Sequence, residues 1–309
     1  MYPSIEPYES GMLDVGDGNE IYWECCGNPN GIPALAIHGG PPGSGSAPGM
    51  RRPFDPHRYR IVAFDQRGCG RSTPHGSDPA VDLSTNTTDH LIADMELLRN
   101  HLGVHQWVLV GWSWGGTTLA LAYAQAHPNR VTGLVLTAVT TTSPSDVTWI
   151  THDVGRLFPA EWTRFRDGVP PRDQRNGSLV DQYARLLASS DPHVRDKAAR
   201  DWCDWEASHI NLGPPEPPLP RYDDPQFRMC FARLVTHYWR HAAWRAEEEL
   251  LNGVNRINHL PAVLIHGRLD LSSPTRQRLE AGPEMAKGAT AHRAWRQPLR
   301  RRNDLRSRR

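Results

Sequence analysis

A chain of 309 residues with 38% hydrophobic content can bury a sizeable core, either as one large domain or as a domain carrying an insertion. Its formal net charge of +1 predicts no nucleic-acid partner, and the lack of a basic or apolar leader after Met1 and of any long apolar run predicts neither secretion nor a membrane span. Five cysteines, at 25, 26, 69, 203 and 230, show neither paired spacing nor histidines in register, which predicts reduced thiols in a cytoplasmic protein rather than a disulfide frame or a zinc site.

In chain order, residues 11–24 predict a β-hairpin turning at Gly16-Asp17-Gly18-Asn19. Residues 33–38 predict a buried strand that runs into Gly39-Gly40-Pro41-Pro42-Gly43, a loop whose backbone can approach a ligand closely. A second strand at 59–64 leads into Asp65-Gln66-Arg67-Gly68-Cys69-Gly70-Arg71-Ser72, read as a structural brace. Apolar positions 91, 92, 95, 97, 98 and 102 share one face of a helix over 89–102. Next come an apolar strand at 107–110 and a helix from Thr117 to just before Pro128, with Gly111-Trp112-Ser113-Trp114-Gly115 between them. A strand that turns at once into a helix forces the central serine into a strained bend, exposing its Oγ at the strand's carboxyl end, and the flanking glycines let the backbones pass. Taken alone, the same pentapeptide also describes a turn whose serine merely caps the helix.

A strand at 131–139 continues the alternation, which predicts a mostly parallel sheet covered on both faces. From 141 to 259 the alternation stops. This stretch holds six of the eleven tryptophans among proline-broken helical patterns and reads as a helical cap inserted over the sheet. The sheet resumes at 262–266 and is followed by Gly267-Arg268-Leu269-Asp270, an acid just past a strand end. The core is thus expected to comprise 1–140 and 260–275, with the cap at 141–259 and a basic tail at 276–309.

In that order, His38-Gly39-Gly40-Pro41, the Asp65 to Ser72 octapeptide, Gly111-Trp112-Ser113-Trp114-Gly115-Gly116, Trp202-Cys203-Asp204-Trp205-Glu206 and His266-Gly267-Arg268-Leu269-Asp270 resemble the proline iminopeptidase (prolyl aminopeptidase) family over about residues 10–274. The resemblance implies an α/β-hydrolase fold and a serine peptidase that removes N-terminal proline from peptides with no metal or organic cofactor. It implies Ser113 as nucleophile, Asp270 as the acid of the triad, and the backbone N–H groups of Gly40 and Trp114 as oxyanion donors. On a helix Trp202, Trp205 and Glu206 share a face, so Glu206 can pair the charge of a prolyl ammonium while Trp205 packs its ring. The blander alternative leaves both tryptophans in the cap core and Glu206 solvated. The family commonly carries a second cap acid where this chain has Val235.

The larger departure lies in the tail. Residues 276–309 carry ten Arg and one Lys against Glu280, Glu284 and Asp304, a net +8 that leaves −7 on the rest of the chain. They contain no Val, Ile, Phe, Tyr or Cys from which to build a strand, and the family's Gly-His signature is missing, as in a C-terminus read out of frame or a disordered one. His292 is the one histidine that follows Asp270 and is the candidate base. The alternatives are a catalytically impaired hydrolase lacking that base, or a carboxylesterase of the same fold.

Overall fold

The computed structural model describes residues 1–40, 43–171, 177–210, 220–267 and 270–272. Strands β1 (Pro7–Asp14), β2 (Glu20–Gly27), β3 (Ile32–Ile37), β4 (Tyr59–Phe64), β5 (Trp107–Trp112), β6 (Val131–Thr137) and β7 (Ala262–Ile265) form one sheet in the order β1-β2-β4-β3-β5-β6-β7. The β1–β2 hairpin is antiparallel and joins β4 antiparallel, and from β4 through β3, β5 and β6 to β7 every pairing is parallel. Alternating residues of β3 feed opposite faces: Leu35 and Ile37 enter the main core, whereas Ala34 and Ala36 pack with Phe54 and Ile61 behind the sheet.

Helices α1 (Thr88–His101) and α2 (Ser113–Ala126) cover the sheet. Thr87 caps α1 by accepting from the His90 amide, and Arg99 and His101 sit in its last turn, where the helix dipole favours cations. α2 is buried from Trp114 to Gln125, as expected of a helix apolar on every side. It starts at Ser113, four residues before the sequence pattern predicts, because the low helix propensity of Gly115 and Gly116 is overridden by packing against β3. A Cβ on Gly116 would stand 2.5 Å from the Ile37 carbonyl oxygen, so only glycine lets the helix approach the strand this closely.

Between β6 and β7 the chain forms α3 (Pro144–Thr151), α4 (Pro159–Asp167), α5 (Leu179–Leu187), α6 (Pro192–Ile210), α7 (Pro225–Arg240) and α8 (Glu249–Asn252). α3 opens with a capping box in which Ser143 and Asp146 satisfy each other's backbone amides. The aromatic core of this region stacks Phe165 on Tyr183 at 4.7 Å and on Trp205 at 5.4 Å, and it is continuous with the main core of the sheet. No helix among the described residues is long and apolar enough to cross a membrane.

Candidate active site

Ser113 is exposed at the β5–α2 junction with φ +55°, the left-handed region that non-glycine residues enter at a cost of about 1–3 kcal/mol. The bend is held from both sides. Thr117 donates its hydroxyl to the Ser113 carbonyl at 2.8 Å, and the loop after β3 crosses so tightly that a Cβ on Gly39 would lie 2.7 Å from Ser113 Cβ. Gly40 follows at φ +23° and faces the Trp114 indole, whose Nε1 would be 3.1 Å from an added Cβ. The sequence therefore places an exposed hydroxyl under a glycine loop beside the first turn of a helix.

The Asp65 octapeptide braces that loop. Asp65 accepts from Ser44 Oγ at 3.0 Å, from Ser46 N and Oγ at 3.1 and 3.0 Å, and from Arg71 N at 2.9 Å. Arg67 makes a bidentate pair with buried Asp94, both contacts at 2.8 Å. His38 belongs to the brace too: its Nε2 accepts from the Gln66 amide at 3.0 Å, which puts the proton on Nδ1, 3.1 Å from the Gly39 carbonyl. Burial holds its pKa below the ordinary value, so it stays neutral with both nitrogens engaged.

Ser113 opens onto a cavity of ≈ 300 Å³ whose walls include Trp114, Glu206, His209, Trp239 and Asp270. Ala138 and Thr142, at φ +55° and +56°, also line it, so three strained non-glycine residues surround one space. On the sheet side, Asp270 accepts from the Ser272 amide at 3.1 Å, and its Oδ2 lies 3.8 Å from Nε2 of His266. The cap grips this segment through Trp149, whose Nε1 donates to the Leu271 carbonyl at 2.8 Å, and through His209, whose Nδ1 lies 3.3 Å from Ser272 Oγ.

On the cap side, Glu206 has only 15% of its side chain exposed. Burial pushes its carboxyl up to about 7, with Arg221 pulling the other way. The expectation that Trp205 walls the substrate is corrected. Trp205 is 2% exposed, stacks on Phe165 and donates Nε1 to the Ile150 carbonyl at 3.1 Å, so its indole lies in the cap core behind the cavity. One residue's step on α6 is enough to turn Glu206 into the cavity and Trp205 away from it. The aromatic wall is supplied by Trp239 of α7 and Trp114, edge to face at 5.7 Å. Val235 is fully buried and packs within the core. His292 lies outside the described residues.

Comparison with known proteins identifies the family and the fold. A family model described as alpha/beta hydrolase fold matches residues 33–281. A probable proline iminopeptidase of Streptomyces coelicolor is 51% identical over 88% of this chain and 84% of its own length, and the Arabidopsis thaliana proline iminopeptidase is 40% identical over 96% and 73%. The chain belongs to the proline iminopeptidase family of α/β-hydrolases. The crystal structure of the Mycobacterium smegmatis proline iminopeptidase superposes with a TM-score of 0.57 over 92% of this chain and 89% of that one at 17% identity, a likeness of fold.

Within this proline iminopeptidase fold, sequence reasoning missed His209, Trp239 and the Thr140 to Thr142 strap fastened to Asp146. His209 was within reach, since it stands three residues after Glu206 on the same helix face. Trp239 belongs to no motif, and only the packing of α7 against α6 brings it to Ser113.

Proposed function

We propose that this chain is a serine aminopeptidase that releases N-terminal proline from peptides through an acyl-enzyme on Ser113. The observation that carries the reading is that an exposed serine on a strained bend and a buried carboxylate on the cap open onto one cavity of ≈ 300 Å³, the low end of ligand-pocket sizes and roomy enough for a terminal residue. Glu206 pairs the prolyl ammonium and fixes how far the first peptide carbonyl reaches. Trp239 and Trp114 pack the pyrrolidine ring.

With the carbonyl over Ser113, His292 takes the Oγ proton as the oxygen attacks, Asp270 orients the imidazole, and the backbone N–H groups of Gly40 and Trp114 receive the developing oxyanion. The same histidine returns the proton to the leaving amine, and water then hydrolyses the prolyl ester. The relatives named proline iminopeptidase favour this reading over an esterase or an impaired hydrolase. Five buried free thiols fit a reducing compartment such as the cytoplasm.

A chromogenic proline anilide tests the assignment. Turnover is expected, and it should fall by on the order of 10⁴-fold in Ser113→Ala and in His292→Ala. N-acetylation of the proline should abolish turnover, because the acetyl group removes the cation. Equal hydrolysis of the acetylated substrate would instead make the protein an amidase or esterase without an amine anchor.

A further inference from the structure

The cap carries a second polar group at the cavity that the mechanism above does not use. His209 is 1% exposed, stands one helical turn after Glu206 and lines the same cavity. Its Nε2 makes no hydrogen bond among the described residues and lies 3.5 Å from Glu206 Oε2. Its Nδ1 faces Ser272 Oγ at 3.3 Å. Burial drives its pKa down to about 3, so the ring is neutral and has one N–H and one lone pair to place. A proton on Nδ1, directed at the serine hydroxyl, leaves the lone pair on Nε2 beside the carboxyl.

We propose that His209 is the second acceptor for the substrate's amine, its Nε2 taking one N–H of the prolyl secondary ammonium while Glu206 Oε2 takes the other. The proposal rests on the reading of Glu206 as the amine anchor and adds a partner to it. A secondary ammonium has two N–H groups, and once buried each needs an acceptor, or affinity falls by on the order of tenfold. The two acceptor atoms are close enough together for a single nitrogen to lie within hydrogen-bond distance of both.

The incoming ammonium pairs with the ionised form of Glu206, whose carboxyl burial raises to about 7. Around the pair stand Arg221 and Tyr222 from the turn ahead of α7, Cys203 back along α6, and Asp146 and Asp270 across the cavity. Asp146 is engaged by the hydroxyls of Thr140 and Thr141 at 3.0 and 2.9 Å. Val235 offers no polar atom. Selectivity follows from the count of donors: a ligand with one N–H loses the His209 bond, and one with two gains it.

The test compares L-prolinamide with N-methyl-L-prolinamide, which keeps the charge and the ring but has a single N–H. Binding is measured by calorimetry on the full chain with Ser113→Ala to prevent turnover. The Ser113→Ala protein should prefer prolinamide by about tenfold or more. Adding His209→Leu should weaken prolinamide by about tenfold and leave the N-methyl ligand within about threefold, so the preference collapses. Adding His209→Gln, whose amide oxygen can accept, should restore part of it.

Full preference surviving in His209→Leu would trace the discrimination to a clash with the methyl group and overturn the proposal. If Glu206→Gln abolishes binding of both ligands while His209→Leu changes neither, the anchor stands and the second acceptor falls. Unchanged binding in Glu206→Gln would bring down the anchor itself. Should the leucine variant fail to fold, the ¹⁵N resonance of His209 Nε2 in the parent reads the same contact: it should move on adding prolinamide, and a static resonance overturns the proposal.

Discussion

The two halves of the cavity are built by different physics. On the sheet side, backbone sets the geometry: Ser113 is held at φ +55°, the loop above it passes where only Gly39 fits, and the buried Asp65 carboxylate ties that loop down. On the cap side, Glu206, His209 and Trp239 point where they do because two amphipathic helices pack around Phe165, Trp202 and Trp205. Backbone-built sites tolerate almost no substitution and are written as short contiguous motifs. Sites built by packing spread their residues over several helices, and change there tunes affinity before it touches chemistry.

The largest effect that sharpens this contrast is expected from Gly39→Ala. Its methyl would collide with the elbow 2.7 Å from Ser113 Cβ, and kcat for the proline anilide should fall about 10²-fold or more, because a misplacement of about 1 Å is enough. A loss below threefold would mean that the elbow is not the rigid half. Next, Glu206→Gln should weaken prolinamide by about 10- to 100-fold while kcat at saturation changes far less, a split that steady-state kinetics reads directly.

The pH dependence of prolinamide affinity comes third. Glu206 must be ionised to pair with an ammonium, and its carboxyl stands raised to about 7, so the affinity should drop near tenfold per unit as pH falls below that value and level off above it. Calorimetry across that range checks the slope, which Glu206→Gln should flatten. The smallest effects separate wall from core. Trp239→Ala should raise KM about three- to tenfold, whereas Trp205→Phe should leave KM within about twofold and lower stability by about 1 kcal/mol through the lost bond to the Ile150 carbonyl. A rise in KM with Trp205→Phe but not with Trp239→Ala would invert the assignment of the walls.

Residue order alone was enough to place the strands at 33–38, 59–64 and 131–139, the helix at 89–102, the serine elbow and the acid after β7, because each is a local pattern of period two, period 3.6 or glycine spacing. It also singled out Glu206, through a resemblance carried by contiguous residues. The start of α2 at Ser113 was not legible, since two glycines argue against a helix until β3 is there to pack on. Nor were the roles of Trp205, Trp239 and His209. All three sit on helices with apolar faces, and a helix facing both a core and a cavity has no sequence mark for which side is which. Only the rotation of α6 and α7 against each other decided that Trp205 is core, Trp239 is wall and His209 stands beside Glu206.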